Sequence, residues 1–214
     1  LFEGKSPYNV EKQIIKESDQ VNLDTKYLIR WGIPGWTMIL ILSPYFILFY
    51  EDFRKILLQE NVLLGVAATL TAVGVPLGYI LNQLHHSITW VSFKFQFGED
   101  YNGWDDYFEE ELLLDKLFSN PQMGEIYQNR YRYLLSKKHE LGGGSVGLII
   151  SCIVISSFHF LNHIYSWLSW GYLLVVIAIT YLFIISRLYS GKNIDEYYKS
   201  CIDKAKNMPK EIDE

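Results

Sequence analysis

The chain carries five histidines, His85, His86, His139, His159 and His163. The run His-Phe-Leu-Asn-His sets His159 and His163 one helical turn apart, a spacing at which two imidazoles can share a metal ion. His85-His86 adds an adjacent pair. Membrane di-iron chemistry built on such elements needs more histidines than this chain has. The charge pattern below also places the two pairs at opposite ends of the membrane. No metal site and no cofactor are therefore expected. What remains for the histidines is interfacial, hydrogen-bonded imidazole, or gating by protonation.

A second cluster is acidic: Glu99, Asp100, Asp105, Asp106, Glu109, Glu110, Glu111 and Asp115. It lacks the alternating Asp pattern and glycine of a calcium loop. A basic, aromatic run follows, with Arg130, Arg132, Lys137 and Lys138. These cations have three uses open to them: pairing with the acidic run in an antiparallel helical hairpin, contact with another chain, or attraction to anionic lipid near the membrane surface. The net charge of −5 argues against nucleic acid as a partner. No GxSxG, HExxH or phosphate-cradling glycine loop is present, so no catalytic residue is assigned. Cys152 and Cys201 lie far apart and form no CxxC, and both read as structural.

The third pattern is a stripe. At about 100° per residue, Ala67, Thr71, Gly74, Gly78, Asn82 and His85 fall on one helical face. Gly74 and Gly78 form a GxxxG step that admits a close neighbour. Gly65, Ala68 and Ala72 make a second strip of small residues. Such a helix is expected to pack between two neighbours, as a helix-packing seam or as the seam of a pore around an oligomer axis.

The elements that position these residues are apolar blocks. Hydrophobic residues make up 50% of the chain, but they are gathered into four charge-free runs, 31–50, 62–81, 145–163 and 165–186. Each is long enough, at about 20 residues, to cross a bilayer as a helix. The expected fold is all-α, a polytopic membrane protein with four transmembrane helices. Its divisions are an N-terminal segment 1–30, helices one and two in 31–91, a helical insert 92–144, helices three and four in 145–186, and a tail 187–214. The insert should hold two helices, 104–118 and 121–140, with a turn at Asn120-Pro121. Gly142-Gly143-Gly144 should be a flexible joint before the third span. Within 1–30, Val10, Ile14 and Ile15 share a face of a short amphipathic helix. No signal peptide is visible there, so the first span is expected to direct insertion.

Lysine and arginine number 5 in 1–30, 6 in 92–144 and 6 after residue 186, against 2 in the first connector and none between spans three and four. By the positive-inside rule both termini and the insert are cytosolic, in a multi-pass protein of the cell membrane.

Four spans, the GVPLG step of Gly74–Gly78 with its NQLHH ending at Asn82–His86, and the charged insert 93–140 together give a layout. It resembles the small four-span membrane components of prokaryotic anti-phage defence systems. The resemblance implies a compact homo-oligomeric bundle acting as sensor, anchor or membrane-disrupting effector, beside a soluble partner that 92–144 would contact. The expected function is therefore non-enzymatic perturbation or gating of the bilayer. The alternatives are a passive anchor for a soluble partner, or a lipid-acting enzyme using His85, His86, Asp105 and Asp106.

Overall fold

The computed structural model describes residues 31–57, 59, 62–92, 103–164 and 166–208. The segment 1–30, with its expected amphipathic helix, lies outside the described residues, as do Glu99 and Asp100. The described elements are all helical. They are α1 (Trp31–Phe49), α2 (Glu51–Leu57), α3 (Val62–His86), α4 (Gly103–Phe118), α5 (Gly124–Leu161) and α6 (Trp167–Lys206). A π-helical turn, Ser87–Ser92, extends α3. Four of these helices, α1, α3, α5 and α6, are long and apolar enough to span a membrane.

The third span is the most buried of the four. In α5, 39% of the apolar window is buried, against 17–22% in the other three spans. Two corrections to the sequence reading come with it. Gly142-Gly143-Gly144 is not a joint: α5 runs unbroken from Gly124 to Leu161, and all three glycines are buried inside it. α6 likewise continues through the charged residues to Lys206. Helices of 38 and 40 residues reach about 57–60 Å at 1.5 Å per residue, nearly twice the hydrocarbon thickness. The boundaries drawn at 144 and 186 thus fall within single helices. We call the charged ends of α5 and α6, with α4, the head.

The head has its own core. Leu114 and Leu117 of α4 pack on Cys201, Ile202 and Ala205 of α6, with Tyr127, Tyr197 and Tyr198 around them. The expected turn at Asn120-Pro121 is present, and Asn120 Oδ1 accepts from the amides of Gln122 (3.0 Å) and Met123 (3.2 Å). Burial pushes the Tyr197 hydroxyl up to about 12. Tyr198 is raised by burial and by Glu110, to which its hydroxyl donates at 2.8 Å. At the opposite end, Tyr45 of α1, Ile155 of α5, and Leu173 and Val176 of α6 form a second core. Tyr172 ties α6 to α1 there by donating to the Ile41 carbonyl at 2.6 Å. The α5–α6 turn closes with His163 at φ 52°, a left-handed conformation that histidine tolerates better than most side chains, and Ser166 caps α6.

Candidate functional site

The stripe on α3 meets two neighbours along its length. Its middle packs on α1. A Cβ on Gly78 would strike the Trp31 carbonyl, and one on Gly35 would strike the Gly74 carbonyl, so the two backbones touch only because side chains are missing. The Trp36 indole lies over Gly74 and donates to the Thr71 carbonyl at 2.9 Å. Beyond this contact the helices diverge. Ala67 and Thr71 then line an apolar gap of about 560 Å³ with Trp36, Leu40, Pro44 and Ile47. The second strip is exposed at Gly65, Ala68 and Ala72, and a Cβ on Gly65 would have open space.

The other end of the stripe enters α5. The Gly142 notch receives the His85 imidazole, and the Gly143 notch receives the Asn82 amide. Leu81 fills the space beside Gly147, at 3.1 Å from where its Cβ would stand. Glycine inside a helix costs about 1 kcal/mol relative to alanine. Here it admits polar side chains of α3 against the α5 backbone, which a flexible joint could not hold in place. His85 is 5% exposed, and Arg187 of α6 donates its Nε–H to His85 Nε2 at 3.3 Å. With Nε2 as acceptor, a neutral imidazole carries its proton on Nδ1. That nitrogen and Asn82 Oδ1 are buried and have no hydrogen-bond partner among the described residues.

Around this contact, beneath α4, is a cavity of about 440 Å³. Among the described residues its lining includes His85, His86, Lys138, His139, Arg187 and Asp195. Three tyrosines, Tyr107, Tyr131 and Tyr198, close the head side. Lys138 pairs with Asp195 at 3.4 Å, and the His86 and His139 rings stand 6.4 Å apart. A smaller cavity of about 300 Å³ adjoins, lined by Trp31, Asn82, Gln83, His86 and His139.

The HFLNH ligand pair is not assembled. The helix ends at Leu161, so His163 lies in the exposed turn, whereas His159 is fully buried between Tyr45 and Trp170. Among the described residues, both nitrogens of His159 and the Tyr45 hydroxyl have no hydrogen-bond partner. Among the described residues no group of three or more His, Cys, Asp or Glu side chains could hold a metal.

The four basic residues do not form one patch. The Arg130 guanidinium stacks on the Tyr133 ring at 5.5 Å. Lys137 pairs with Glu140 at 2.9 Å on its own helix, and Lys138 with Asp195 on α6. At 100° per residue, Arg132 faces away from Arg130 and Lys137. The expected acidic-to-basic pairing between α4 and α5 is thus replaced, for Lys137 and Lys138, by partners on α5 and α6. Sequence reasoning missed the cavity as a unit, because α3, α5 and α6 each bring part of it. One signal was available: Arg187 ends an apolar span, as His85 does.

Comparison with protein-family models, with curated proteins and with solved structures finds no match.

Proposed function

We propose that the protein is a non-enzymatic integral membrane protein, working as a homo-oligomer, that perturbs or gates the bilayer when its head is engaged. In an anti-phage defence system this is the part of a membrane effector or sensor. The observation that carries the reading is the continuity of α5 and α6. Each helix is a core element of both head and bundle. A displacement of the head is therefore delivered to the spans without an intervening hinge. The exposed small strip of α3 offers a face for a second copy, and the lysine and arginine tally supports a cytosolic head.

The test releases the head artificially. Leu117 is 1% exposed in the head core, so Leu117→Asp should free α4 from α6. Cells expressing this variant should depolarise and admit dye, whereas wild-type cells stay sealed. Intact membranes, with the variant correctly inserted, would rule gating out.

A second reading, an anchor for a soluble partner, is favoured by one feature. Phe108 (53% exposed) and Leu112 (70%) lie one turn apart on the outer face of α4, with Ile126 (66%) on α5. Leu112→Arg should then abolish co-purification of that partner and leave the membrane bundle unchanged.

A further inference from the structure

We infer that the cavity beneath α4 binds a phosphate group, carried either by a lipid headgroup or by a soluble phosphate compound. This goes beyond gating, since the site can be filled whether or not the bundle conducts.

The first support is an excess of donors. Arg187 presents five N–H groups, and the contact with His85 uses only one of them. Lys138 adds an ammonium group. The second support is position. His85 sits in the Gly142 notch and takes one Arg187 N–H, which holds the guanidinium at the cavity wall. Among the described residues the lining has one carboxylate, Asp195, which is 64% exposed and meets Lys138 at 3.4 Å.

The chemistry selects the ligand. A phosphate brings several acceptor oxygens and negative charge, and arginine is the side chain best matched to it. A cavity of about 440 Å³ exceeds the needs of phosphate alone and suits one with an organic substituent. Its position at the end of the apolar spans, under the head, is where headgroup phosphates of a bilayer lie. Its lining comes from α3 with its π-helical turn, from α5 and α6, and from Tyr107 of α4, so an occupant would bridge bundle and head.

The experiment uses the purified, delipidated full chain in detergent. One arm titrates inorganic phosphate at constant ionic strength and reads melting temperature. The other reads retained lipid by native mass spectrometry, comparing phosphatidylglycerol with diacylglycerol, which has no phosphate. A saturable rise with phosphate, retention of phosphatidylglycerol over diacylglycerol, or both, supports the site; the responding arm identifies the source. Arg187→Gln and Lys138→Gln should each weaken the response about tenfold, as loss of a charge-assisted bond does. Lys55→Gln, on α2 and away from the cavity, should change nothing. No response in either arm overturns the inference, as does a response that both cavity variants retain in full. If Arg187→Gln fails to fold, Lys138→Gln and the two wild-type titrations still decide.

Discussion

Gly78→Ala is a one-carbon change whose effect can be worked from the α1–α3 contact. The new Cβ would lie within bonding reach of the Trp31 backbone oxygen, and no rotamer relieves a clash between a Cβ and a carbonyl. The helices must separate by roughly 1 Å to restore van der Waals spacing. A gap of 0.5–1 Å forfeits about a quarter to a half of each contact's dispersion energy along the interface. Overpacking of this kind costs about 1–3 kcal/mol. Alanine returns up to about 1 kcal/mol of helix propensity, so a net loss of about 1–2 kcal/mol is expected. Gly65→Ala is the matched control, on the same helix with open space around it. It should be neutral or stabilising by a few tenths of a kcal/mol, since only propensity acts. Reversible unfolding in mixed micelles with increasing dodecyl sulfate measures both. Equal stability of the two variants would refute the claim that α1 and α3 meet backbone to backbone at Gly78.

Other expectations follow from the same geometry. His159→Phe should stabilise the bundle by about 1 kcal/mol in the same unfolding assay, because it removes two buried nitrogens without partners and keeps an aromatic ring beside Tyr45 and Trp170; a large destabilisation would mean that His159 has a partner. Tyr198→Phe removes the 2.8 Å bond to Glu110 and should cost about 1 kcal/mol, read as faster proteolysis of α4 in the assembled protein. Alkaline pH should loosen the head. Tyr197 and Tyr198 both titrate above the ordinary tyrosine value of 10, which means that the folded head favours the neutral phenol. Their contribution is therefore complete below pH 10 and is lost as pH rises from there through about 12. Near-ultraviolet circular dichroism across that window should show the change, and a flat signal would contradict it.

The spans were legible because membrane helices announce themselves by charge-free length, as Tyr165–Ser186 does. Gly74 and Gly78 read as a close-approach step because small residues four apart have few other uses in an apolar helix, and α1 lies against both. Gly142-Gly143-Gly144 was not. Glycine serves flexibility and close approach equally well, and only the apposition of His85 and Asn82 tells which applies. The change from charged to apolar residues near Leu141 was read as an element boundary, whereas α5 runs through it unbroken. The cavity was hidden for a topological reason: His86, Lys138 and Arg187 come from three helices, and no local spacing links them.

Hydrogen exchange of Leu141–Leu148 in a lipid nanodisc tests the account most directly, since transmission from head to bundle depends on this stretch being helix. The account requires these amides to be protected for hours, like those of Ser151–Ile155 beside them. Exchange within seconds, as for a glycine linker, would separate head from bundle and contradict it.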